Sequence, residues 1–103
     1  MEIKINKKKY EVKEYDNFKL RFKSLKFVFE PLDFIIKIPN KKVANTYFFV
    51  QKVDICFTDG KNRIIKLVEN VKSEKLIFEL SATHLYYLPL GCAKEYRVND
   101  ILK

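Results

Sequence analysis

Asp54 is the residue whose setting most invites chemistry. Val53, Ile55 and Phe57 alternate with Asp54, Cys56 and Thr58, so a strand here has one apolar face and a lone carboxylate on the other. A carboxylate within such a strand must be solvated in a cleft, satisfied by backbone N–H groups or paired with a cation. Two uses follow. Asp54 is structural, capping a turn or bonding the backbone of the Asn45–Thr46 segment. Or it lines a ligand-binding cleft with Asn45 and Thr46, where an enzyme would use it as an acid.

The other reactive residue types form no set. His84 is the only histidine, in a strand between Thr83 and Leu85, and reads as structural. There is no Gly-rich phosphate loop, Walker pattern or dinucleotide fingerprint. Cys56 and Cys92 lack zinc-ligand spacing, and one histidine cannot complete a Cys/His cluster. They read as two buried or half-buried free thiols in a reducing compartment. No metal or cofactor is expected.

Charge is the remaining candidate. The formal net charge is +8, from 21 Lys plus Arg against 13 Asp plus Glu, and the only arginines are Arg21, Arg63 and Arg97. Nucleic-acid readers lean on Arg for bidentate contacts. Ile, Asn, Phe and Tyr, all with A/T-rich codons, are also abundant, so composition bias accounts for much of the lysine. Lys19, Lys23 and Lys26 form a basic stripe beside a helical face. It is either an anion-binding surface or a solvated flank. No specific nucleic-acid partner is expected; a protein partner is compatible with the sequence.

The elements that would position these residues are mostly strands. Residues 2–6 and 10–15 alternate and could pair as a hairpin, with Lys7, Lys8 and Lys9 as a turn or an edge guard. From Asp16 the period changes: Phe18, Phe22 and Leu25 form the apolar face of a short helix, with Asp16 or Asn17 as N-cap. Residues 34–38 suit a strand ended by Pro39. A central hairpin follows, its first strand beginning near Val43. Asp59, Gly60, Lys61 and Asn62 form its turn, with Gly60 supplying positive φ and Asn62 tolerating it. Further strands are expected at 76–80, with Leu76, Phe78 and Leu80 on one face, at 83–88 and at 97–102. Cys92 to Tyr96 is one helical turn. Tyr47, Phe48 and Phe49 read as core.

The expected fold is mainly β: a small antiparallel barrel or strongly curved sheet of about seven strands, with one short helix and a helical turn. A chain of 103 residues makes one domain, able to bury a self-sufficient core. No signal peptide is visible and no apolar run is long enough to span a membrane, so a cytoplasmic location is expected.

Three ordered blocks resemble the domain of unknown function 192 family. They are 21–27 (Arg-Phe-Lys-Ser-Leu-Lys-Phe), 45–72 (including Val53-Asp54-Ile-Cys-Phe57, Asp59-Gly-Lys-Asn and Glu69-Asn-Val-Lys72), and Leu88-Pro89-Leu90-Gly91 followed by Asn99-Asp100-Ile101-Leu102. The resemblance covers residues 16 to 102. It departs from the family at Ser24, Lys26, Asn45, Lys52 and Asn99, which puts a shared ligand site in doubt. It implies a small β-rich, barrel-like domain with short helices and brings no established activity. Asp54 and Asp100 resemble family positions, the only ground for considering them as a carboxylate pair. The leading expectation is a non-enzymatic module that binds a ligand or partner. The alternatives are an enzyme with an acid at Asp54, helped by Asn45 or Thr46, and an anion-binding module using the Lys19, Lys23 and Lys26 stripe.

Overall fold

Alternating β-branched and aromatic residues, cut by Asn, Asp and Pro, produce eight strands in a computed structural model that describes residues 2–15 and 30–102. They are β1 (Glu2–Ile5), β2 (Lys8–Glu14), β3 (Ile35–Pro39), β4 (Val43–Asn45), β5 (Val53–Thr58), β6 (Ile64–Val71), β7 (Leu76–Phe78) and β8 (His84–Leu88). A single 3-10 turn, Cys92–Glu95, follows β8. The helix expected from Asp16, with Lys19, Lys23 and Lys26, lies outside the described residues.

Six strands form one sheet in the order β1-β2-β3-β8-β5-β6, and β4 and β7 form a second. The sheet is mixed rather than antiparallel, because β2 runs parallel to β3, with Val12 opposite Ile35. Parallel neighbours need a crossover of a dozen or more residues, and the stretch between Glu14 and Ile35 is long enough. Among the described residues no closed barrel forms: β1 and β6 end the sheet and do not pair. Both ends nevertheless feed one apolar cluster, in which Ile3 and Ile5 of β1 join Ile64 of β6, so the sheet curves over it.

The hairpin turns follow local chemistry. Asn6 and Lys7 link β1 to β2 with φ of 48° and 70°, the left-handed pair that a two-residue hairpin loop requires. Only Lys7 of the lysine run lies in the turn; Lys8 and Lys9 enter β2. Between β5 and β6, Asp59 Oδ1 accepts the N–H groups of Lys61 at 2.8 Å and Arg63 at 2.9 Å. Asn62 takes the left-handed position at φ 62°. Gly60 does not, contrary to expectation; the Asp59 side chain fixes the turn without it.

Every residue of β5 is buried. Val53, Ile55 and Phe57 pack with Ile36 and Leu85 beneath Ala44 and Phe49. Cys56 packs on the opposite face with Tyr86, Leu88 and Ala93. Three expectations fail locally. Val43–Asn45 leaves the central hairpin to pair with β7. Thr46 O accepts the Phe49 N–H in the turn that follows. On β7 it is Ile77 that packs inward, while Leu76 and Phe78, with Leu80 beyond the strand's end, face solvent. Residues 97–102 make only a bridge, Arg63 to Ile101, because Asp100 Oδ2 accepts the Arg97 N–H and curls the segment into a turn.

Candidate binding groove

Asp54 is 1% exposed, and both its oxygens are occupied by backbone donors. Oδ1 accepts the Asn70 N–H at 2.9 Å. Oδ2 accepts those of Gly91 at 2.9 Å and Ala93 at 2.8 Å. The first bond stabilises a bulge: between Val53 and Ile55, β6 spends one extra residue, and Asn70 takes φ 55° there. The other two pin the turn after β8, where Gly91 at φ 92° opens the 3-10 turn. A buried carboxylate holding three N–H groups is charge-assisted structure. Its partners are not the Asn45–Thr46 backbone that the sequence suggested.

Asn45 and Thr46 work on the other face of the sheet. Asn45 donates its N–H to Tyr87 Oη at 3.3 Å and accepts the Tyr47 N–H on Oδ1 at 2.8 Å. Buried Thr46 donates Oγ1–H to Lys72 O at 2.7 Å and accepts the Lys75 N–H at 2.9 Å. Tyr87 packs with Phe49 and Ile55, whereas the Asp54 partner Ala93 packs with Cys56 and Tyr86. The fold therefore does not gather Asp54, Asn45 and Thr46 into one site. It uses Asp54 and Thr46 as clasps at the two ends of the segment 70–75.

A second clasp faces the Asp54 turn. Gln51 donates Nε2–H to Glu30 O at 2.6 Å and accepts the Leu32 N–H at 2.9 Å. This holds residues 30–32 across from Pro89 and Leu90. Between them lies a cavity of about 480 Å³, lined among the described residues by Lys8, Tyr10, Pro31, Leu32, Asp33, Gln51, Lys52, Pro89 and Leu90. Leu32 and Pro89 are buried floor; Leu90 is 56% exposed at the rim. Two lysines face one acid. Lys8 Nζ lies 4.9 Å from the centre of the Tyr10 ring.

The groove holds no activated nucleophile among the described residues. Desolvation, with a hydrogen bond to the Cys92 thiol, raises the Tyr10 phenol. Burial likewise raises the Cys92 thiol, so it stays protonated at neutral pH. Burial pushes Cys56 up to about 12. His84 lies opposite Thr58 and Pro39 and does not line this cavity. Burial and the Lys37 ammonium lower its pKa, against smaller raising effects of Glu14 and Asp59. No group of three His, Cys, Asp or Glu side chains among the described residues is placed to hold a metal ion. No helix among them is long and apolar enough to cross a membrane. The sequence marks the Leu88-Pro89-Leu90-Gly91 turn, but the segments facing it are brought there by sheet order, which no local pattern encodes.

No protein-family model and no curated protein sequence matches the chain. Two solved structures share the fold. One, a protein of unknown function from Novosphingobium aromaticivorans, superposes with a TM-score of 0.79 at 13% identity, covering 99% of this chain and 81% of that one. The other, described as a "putative transcription regulator" from Sinorhizobium meliloti, gives 0.82 at 13% identity, covering 99% and 89%. At that identity the likeness concerns architecture alone.

Proposed function

We propose that the protein is a non-enzymatic binding module, a divergent member of the domain of unknown function 192 family, and that its ligand sits in the groove between the 30–33 segment and the Pro89–Leu90 turn. The observation that carries this reading is a cavity of about 480 Å³ whose two walls are each fixed by a side-chain clasp, Gln51 on one and Asp54 on the other. That volume falls within the roughly 300–1,000 Å³ of ligand sites. Clasped walls lower the ordering cost of binding. An apolar floor with a few convergent polar groups is the composition such sites need. Asp54 acts here as a positioning residue, its carboxylate already committed to three N–H groups. Two free, buried thiols suit a reducing compartment, and the module works in the cytoplasm on this reading.

Backbone amide NMR with a small-molecule fragment library tests it. Hits should shift Tyr10, Leu32, Lys52 and Leu90 together. Leu90→Arg, at an exposed rim position, should abolish those hits while leaving the melting temperature within about 2 °C of the parent. Hits that map elsewhere, or that survive Leu90→Arg unchanged, would remove the groove from consideration.

A further inference from the structure

The central cavity is one section of a longer track. A second cavity, about 310 Å³, shares Lys8, Tyr10 and Leu90 with it and continues to Lys94 and Glu95. A third, about 400 Å³, shares Gln51 and Lys52 and continues past Val50 to Lys72 and Ser73. Lys72, Lys52, Lys8 and Lys94 thus stand in succession along it, against Asp33 and Glu95. Two exposed aliphatic side chains lie along it: Leu90, 56% exposed, at the junction of the first two cavities, and Val50, 46% exposed, in the third beside the shared Gln51 and Lys52.

Resting on the binding role proposed above, we infer that the occupant of this track is an extended acidic peptide segment of a partner protein, anchored by aliphatic side chains at Leu90 and Val50. Shape favours a chain over a compact molecule, because three joined sections with shared residues offer length rather than depth. The molecule measures 30 × 30 × 23 Å, so an extended segment crossing it has at most about nine residues at roughly 3.3 Å each. Charge favours acid: lysine outnumbers acid along the track in a chain of net charge +8, and such complementarity steers association and fixes orientation. The aromatic surfaces disfavour nucleic acid. Lys8 already covers the Tyr10 ring, and Phe49 is 3% exposed, so neither offers a face for a base. Neither described arginine, Arg63 or Arg97, lines the track.

The test uses the full chain and a capped peptide of about eight residues with a central Leu pair and Glu elsewhere. Its controls are the same peptide with Gln for Glu, and oligo-dT of matching length. Isothermal titration at roughly 50 mM salt should give micromolar affinity for the acidic peptide and at least about tenfold less for both controls. Lys8→Glu with Lys52→Glu should weaken the acidic peptide about tenfold or more. Lys4→Glu with Lys61→Glu, an equal charge change at exposed sites off the track, should leave it within about twofold. Amide shifts should run from Lys72 to Lys94. Equal binding of the Gln peptide, tighter binding of oligo-dT, equal effects of the two double variants, or shifts confined to the central cavity would each overturn the peptide assignment. Fragment hits in the central cavity would still stand under any of those results, so the two proposals fail separately.

Discussion

Asp54→Asn isolates what one buried carboxylate does. The asparagine keeps the shape, but its amide must aim an N–H₂ group either at the Asn70 N–H or at the Gly91 and Ala93 pair. Donor then meets donor at a fully buried site. The expected loss is about 1–3 kcal/mol, seen as a lower urea midpoint at unchanged slope. An unmoved midpoint would show that the clasp contributes nothing. That Asp54 needed partners was legible from its alternation with Val53 and Ile55. Which partners it has was not, since Gly91 and Ala93 are 37 and 39 positions away and reach it only through the β5–β8 register. His84 gives a second test. Its folded-state pKa lies below the ordinary 6.5, so the unfolded chain takes up a proton first as pH falls. The stability it contributes is present above about 6.5 and is lost as pH drops through that value toward the folded pKa. Between pH 7 and about 5.5 the parent should lose more stability than His84→Gln; identical losses would mean that the burial of this imidazole has no thermodynamic weight.

Turns decide much of what happens among the elements. The Asn6–Lys7 link holds a lysine at φ 70°, where glycine carries no Cβ penalty. Lys7→Gly should therefore raise stability, by about 0.5 kcal/mol once the extra freedom of the unfolded chain is deducted. A lower melting temperature would refute the argument. Lys8–Glu14 was readable from the sequence because its alternation and its burial agree, and His84–Leu88 because it is a short apolar and aromatic run, buried on both faces, that ends before a Pro-Leu-Gly turn. The break at Asn45 was not. Val43 to Val50 is rich in β-branched and aromatic residues, yet β4 ends at Asn45 and Phe48, at φ 67°, lies in the turn beyond it. Leu76 and Phe78 misled in the opposite sense: their alternation is real, but the two-stranded sheet turns that face to water and Ile77 to the core.

Charge is a property of the whole molecule. Outside the track, the described lysines are spread over several elements, with Lys4 opposite Lys9 on β1 and β2, Lys61 in the β5–β6 turn and Lys42 before β4. Nucleic acid should bind weakly and without sequence preference. Titration with single- and double-stranded DNA and RNA at roughly 50 and 200 mM salt should show affinity collapsing at the higher value. Sub-micromolar binding that persists there would reverse the ranking of partners. The overall β character was legible, since alternating apolar runs and turn residues punctuate the described chain. Strand order was not, because the parallel β2–β3 pair depends on the crossover after Glu14 and the central position of β8 depends on pairings with distant strands.

That central position bears on synthesis. β8 alone joins β3 to β5, yet in chain order it follows every other described strand. A nascent chain that stops short of His84 holds β1–β3 and β5–β6 as two unconnected pieces of sheet, each with an unpaired inner edge. The six-stranded sheet cannot be completed until His84–Leu88 has been made. The exposed edges of β3 and β5 make that interval, rather than the finished protein, the period in which the chain needs shelter from its neighbours.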